Sequence, residues 1–94
     1  MQAQFIAAWA KARQQALELG VRMRPVEPEQ AMTAARRILD GRRLSDGFSA
    51  LAEQGRLDLS LEALAVDRRF TGLFTDDQAN EALTRLLEVG YRFN

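Results

Sequence analysis

RLDLSLEALAVDRR, residues 56–69, reads two ways, and the choice decides the fold class. Leu57, Leu59 and Leu61 alternate with Arg56, Asp58 and Ser60, the two-residue period of a half-buried strand. Ser60 can instead cap a helix reading LEALAVDRR, with Leu61, Leu64 and Ala65 on one face. Leu, Ala and Glu are weak strand formers, and the alternation lasts only six residues. The helical reading is favoured, with the strand kept as the alternative.

The segments on either side are helical in pattern. Phe5, Trp9, Ala12, Ala16 and Leu19, flanked by Ile6 and Leu17, form one apolar stripe over residues 3–19, and Gly20 stops it. Val21, Met23 and Pro25 alternate with Arg22 and Arg24 in a connector that allows a short extended segment. Pro25 and Pro28 bar a helix through it. Pro28 then opens a second helix, residues 28–39, with Ala31, Ala34, Ala35 and Ile38 inward and Leu39 beside them. Ser45 is the expected N-cap of a third helix, residues 46–54, presenting Phe48, Leu51 and Ala52 before Gly55 ends it. Phe70-Thr-Gly-Leu-Phe74 is expected as an apolar bend that plugs the core. Thr75 and Gln78 match a capping box for a last helix running to Val89, with Ala79, Leu83, Leu86 and Leu87 inward and Gly90 as its stop. Tyr91 and Phe93 are expected to fold back as lids or as an edge strand. The segments QAMTAARRILDG and QANEALTRLLEVG (30–41 and 78–90) align with one insertion, which fits an old duplication or two helices of similar build.

Charge is divided along the chain. Residues 1–43 hold eight basic side chains against four acidic, a net of +4, and residues 44–94 hold five against nine, a net of −4. Nearly all the cations are arginines, which suit bidentate contact with carboxylate or phosphate. The division is densest at RRILDGRRLSDGF, residues 36–48. Arg36 and Arg37 fall in a last helical turn, where cations suit the helix dipole. Arg42 and Arg43 lie past Gly41 with no such local reason. With Arg22 and Arg24 these six form the candidate partner-binding set, Arg42 and Arg43 foremost. The two halves of the chain can also neutralise one another, within a molecule or across a dimer.

Chemistry is restricted by what is missing. There is no cysteine and no histidine, so thiolates, disulfides, the commonest metal ligand and the usual neutral-pH proton shuttle are all unavailable. Asp76 and Asp77 are adjacent on a helix and point apart, so they do not form a paired-carboxylate site. No phosphate loop, nucleophile elbow or metal-ligand spacing is present, so no enzyme activity, cofactor or metal is expected. No apolar run approaches bilayer length, and the first residues lack the pattern of a signal peptide. Apolar residues at 47% and charged residues at 28% fit a folded soluble chain, expected in the cytosol, and 94 residues fit one domain.

LSDGFSALAEQ, RLDLSL, FTGLF, TDDQANEALTRLL and YRF, within residues 44–93, resemble in order the helix and strand segments of the small signalling domain of secretins, TonB-dependent receptors and iron-responsive anti-sigma regulators. That resemblance implies a βαβ-βαβ half and protein partners in the periplasm.

The expectation is therefore a mainly α, compact bundle of four to five short helices spanning residues 1–94, with the α+β half at 44–94 as the alternative. It is a non-catalytic binding or regulatory module that acts through protein contacts and self-associates. The alternative is a nucleic-acid regulator whose Arg36–Arg43 patch contacts the phosphate backbone.

Overall fold

The computed structural model describes residues 1–91, and these contain helices and turns but no strand. Five α-helices follow one another: α1 (Gln2–Glu18), α2 (Ala31–Asp40), α3 (Phe48–Glu53), α4 (Leu61–Ala65) and α5 (Asp76–Glu88). Short 3-10 turns at Pro28–Gln30, Leu57–Leu59 and Arg68–Leu73 join them. The mainly α bundle is the observed architecture. The signalling-domain resemblance fails here, because the described segments it needs as strands are something else. Residues Leu57–Leu59 coil into a 3-10 turn, and Ser60 then starts α4 by accepting a hydrogen bond from the Ala63 amide. Phe70 to Leu73 lie within the third 3-10 turn. Tyr91 has no regular structure, and the Phe93 expectation lies outside the described residues.

The strand-like alternation at 57–61 has a simple outcome. Leu57, Leu59 and Leu61 are all buried, because a 3-10 turn running into a helix directs all three toward α1 and α3 rather than across a sheet. Local chemistry sets most other boundaries. Thr75 and Gln78 complete the capping box in both directions, and Asp76 and Asp77 lie at the positive end of α5. At the end of α1, the Gly20 and Val21 amides fold back onto the Leu17 and Ala16 carbonyls, with Gly20 left-handed.

α3 starts later than residue type suggests. It begins at Phe48, and its N-cap is Gly47 rather than Ser45. Ser45 is buried, and its hydroxyl is committed elsewhere. Gly47 has φ +77°, and a Cβ there would lie 2.7 Å from Cγ1 of buried Val21. Gly47→Ala is expected to destabilise the protein by about 2–4 kcal/mol, from left-handed strain and overpacking together. A denaturant melt would read this as a lower midpoint at unchanged slope. A loss under about 0.5 kcal/mol would mean that the α2–α3 loop yields freely at this point.

One continuous apolar core joins all five helices. Phe5, Trp9, Ala12 and Ala16 of α1 meet Ala31, Met32, Ala35 and Leu39 of α2, Phe48 and Leu51 of α3, and Phe70 and Phe74. α5 turns a different face inward from the one its leucines predict. Gln78, Ala82, Arg85 and Leu86 are buried, whereas Leu83 and Leu87 are exposed and Ala79 is half-buried. Two polar side chains take the inward stripe because α2 and α4 offer them partners there. α2 and α5, the two similar segments, pack on each other, but their aligned arginines diverge: Arg37 is exposed and Arg85 is buried.

Candidate functional site

A buried ion pair organises the region where α2, α4 and α5 meet. Glu62 is 0% exposed and Arg85 is 4% exposed. The Glu62 carboxylate accepts from Arg85 Nη1 at 3.1 Å, from the Ser45 amide at 3.1 Å and from the Ser45 hydroxyl. Arg85 spends its other donors on Glu81, at 2.6 Å, and on the carbonyls of Ile38 and Gly41, at 3.1 and 2.9 Å. These carbonyls belong to the last turn of α2 and the residue after it, where helix geometry leaves acceptors short of intrahelical partners; Ile38 has only a 3.3 Å bond from the Gly41 amide besides Arg85. Arg85 therefore caps α2 from outside while neutralising Glu62. Every buried side-chain polar atom among the described residues has a partner, those of this cluster included.

What it positions is the loop from Gly41 to Ser45. Arg85 holds the Gly41 carbonyl at one end, and Glu62 holds Ser45 at the other. Between these clamps Arg42, Arg43 and Leu44 are exposed. They form one wall of a cleft of about 850 Å³ between α1, the connector and the end of α2. Its apolar lining includes Ile6, Trp9, Met23, Val26, Ile38 and Leu44. Arg13, Arg24, Arg37, Arg42 and Arg43 surround it, with Asp46 as the single acid. Asp46 is already matched: the Arg24 side chain and backbone amide both donate to it, the shortest at 2.9 Å. The bonded guanidinium holds the Asp46 carboxyl below the ordinary carboxylate range, so it stays ionised at neutral pH. The guanidinium groups of Arg13, Arg37, Arg42 and Arg43 have no ion-pair or hydrogen-bond partner among the described residues. Four guanidinium groups without a partner among the described residues thus surround an apolar trough.

The six arginines singled out by sequence separate into groups. Arg24, Arg37, Arg42 and Arg43 converge on the cleft. Arg36 does not. Its Nε and Nη2 both donate to the Leu73 carbonyl, at 3.2 and 3.0 Å, tying α2 to the last 3-10 turn. Arg22 is exposed but lies outside the cleft lining. Arg13 and Trp9 belong to the cleft and were not among the sequence candidates. Both come from α1, and nothing in its spacing says that this flank faces the 41–46 loop. For Arg85 the one signal is its place four residues after Glu81, since the leucines of α5 mark a different inward face. Glu62 left none.

Among the described residues no group of three or more His, Cys, Asp or Glu is placed to hold a metal ion. No helix among them is long and apolar enough to cross a membrane. No protein-family model, curated protein or solved structure matches this chain.

Proposed function

We propose that this protein is a small non-catalytic binding or regulatory module that acts through protein contacts. Its working surface is the arginine-rimmed cleft, which takes an acidic, amphipathic segment of a protein partner. One observation carries the reading: four unpaired arginines surround an apolar trough whose only acid is already neutralised by Arg24. Apolar side chains of the partner would fill the trough and displace water, supplying most of the affinity. Its carboxylates would meet the rim, supplying register and a fast, salt-sensitive encounter. A guanidinium fork pairs with a carboxylate through two parallel hydrogen bonds, which suits an arginine rim better than a lysine one.

The nucleic-acid alternative draws on the same arginines. A phosphate-tracking surface, however, needs cations and polar donors along a path. Here the cations encircle an apolar lining instead, with Leu44 45% exposed at its edge.

Trp9 lines the cleft and is the single tryptophan of the chain, so its fluorescence reports on occupancy. A helical peptide of about 15 residues with Leu at i, i+3, i+4 spacing and Glu elsewhere is the probe. At sub-micromolar protein it is expected to shift Trp9 emission saturably, while the same peptide with Lys for Glu leaves it unchanged. Arg42→Glu/Arg43→Glu, two exposed changes that leave the fold intact by circular dichroism, is expected to weaken binding by about tenfold or more. If both peptides act alike, or if the double variant binds as the wild type does, the reading fails. Tight low-salt binding of duplex DNA or RNA without any peptide response would favour the phosphate-backbone alternative.

A further inference from the structure

The fold leaves the outer face of α5 exposed, and that face has the character the cleft calls for. On α5 the inward positions go to Gln78, Ala82, Arg85 and Leu86, which displaces two leucines outward. Leu83 is 36% exposed and Leu87 56%, with Val89 just past the helix at 48%. At about 100° per residue, Asp76, Asn80, Leu83 and Leu87 share one stripe, with Asp77, Thr84 and Glu88 alongside. All seven side chains are exposed. The solvent face of α5 therefore carries three acids and two leucines and no cation, since the one arginine of the helix is buried. It runs for about 18 Å over its length.

We propose that the occupant of the arginine-rimmed cleft is this α5 face of a second copy of the chain. The inference rests on the cleft being a protein-docking site and names its partner. Leu83 and Leu87 of one molecule would enter the trough between Trp9, Met23 and Leu44 of the next. Asp76, Asp77 and Glu88 would meet the unpaired Arg37, Arg42 and Arg43. The contact satisfies both surfaces at once: it covers leucines that the fold leaves in water and neutralises cations it leaves unpaired. It also accounts for the division of charge, because the basic cleft belongs to residues 1–46 and the acidic face to residues 76–88 of a chain with no net charge. No residue of α5 lines the cleft, so the two surfaces are distinct. Their contact is either made twice in a two-fold dimer or repeated head to tail.

Sedimentation velocity over a range of concentrations tests this. Wild-type protein is expected to self-associate at low salt and to associate more weakly near ~1 M salt, where screening acts within about 3 Å. Arg42→Glu/Arg43→Glu alone should be monomeric, because its cleft then repels its own α5 face. Asp77→Arg/Glu88→Arg alone should be monomeric for the opposite reason. Mixed in equal amounts, the two should associate again, because each surface finds an opposite charge on the other chain. Leu87→Ser, which leaves every charge in place, should weaken wild-type association by about tenfold. A wild-type monomer at the highest concentration and lowest salt overturns the proposal. So does association that survives in either charge variant alone, or a mixture that remains monomeric while both variants are folded. A wild-type monomer that still binds the Leu/Glu peptide would remove self-docking and leave the binding-module reading standing. Loss of both removes the cleft as a protein site.

Discussion

Arg85→Met is expected to lower stability by about 3–5 kcal/mol, out of about 5–14 kcal/mol for a chain of this length. The substitution keeps the aliphatic bulk and removes the donors. Glu62, fully buried, then keeps only the Ser45 amide and hydroxyl for its charge, the Gly41 carbonyl loses the Arg85 donor, and the Ile38 carbonyl keeps only the Gly41 amide at 3.3 Å. At about 4–8 °C per kcal/mol, the loss would bring thermal unfolding down by tens of degrees. Glu62→Gln is expected to be milder, at about 1–2 kcal/mol. Its amide oxygen can take the place of the oxygen that accepts from Arg85 and the Ser45 amide. Its amino group can then donate to the Ser45 hydroxyl, which reverses from donor to acceptor. The double variant should cost less than the sum of the two, by about 0.5–3 kcal/mol, because the uncompensated charge is gone. Urea melts of the four proteins measure the cycle. Losses that simply add in the double variant would show that the carboxylate does not depend on Arg85. Since the same pair clamps both ends of the Gly41–Ser45 loop, Arg85→Met should also speed amide exchange at Arg42, Arg43 and Leu44. It should weaken peptide binding although every cleft arginine is intact.

That pair also marks where the sequence stops being informative. Helix ends governed by near neighbours are legible: Ser60 with Ala63, Thr75 with Gln78, and the stop at Gly20 each need only a few residues. Ser45 looks like the same kind of cap, and its chemistry is the right type, but Glu62, 17 residues on, claims its hydroxyl. The register of α5 is lost for the same reason. By composition, Leu83 and Leu87 belong inside. They are outside because Arg85 reaches carbonyls more than 40 residues away and Gln78 reaches Asp40, and a helix can turn only one face inward. In the candidate site, the clustering of Arg24, Arg37, Arg42 and Arg43 follows from charge density along the chain. The apolar trough they surround does not, since it exists only where α1 and the connector meet the loop that Glu62 and Arg85 hold. Arg36 belongs to the same run of charge and is drawn off by a single carbonyl, that of Leu73.

Phe5→Ala is expected to cost about 3–5 kcal/mol, the range for truncating a fully buried phenylalanine. Phe5 has no exposed surface, and its ring lies 6.0 Å from that of Trp9 and 5.3 Å from those of Phe70 and Phe74, the last two edge-on. Phe5→Leu should cost about 1–2 kcal/mol, because it keeps most of the buried area and loses the ring contacts. Denaturant midpoints distinguish the two, and near-ultraviolet dichroism of Trp9 should fall in the alanine variant before the backbone signal does. A cost below about 1 kcal/mol for Phe5→Ala would mean that the aromatic cluster repacks without it. The cluster has a second dependence. Phe70 and Phe74 sit in and beside a 3-10 turn with no sheet to support it, so the turn is held to the body by Phe5 on one side and by the Arg36–Leu73 hydrogen bonds on the other. Arg36→Ala alone should cost about 1.5–3 kcal/mol, the range for a hydrogen bond to a charged donor. Combined with Phe5→Ala it should cost less than the sum, since a turn already released by one change has less left to lose to the other. Strict additivity would mean that the two contacts hold the turn independently.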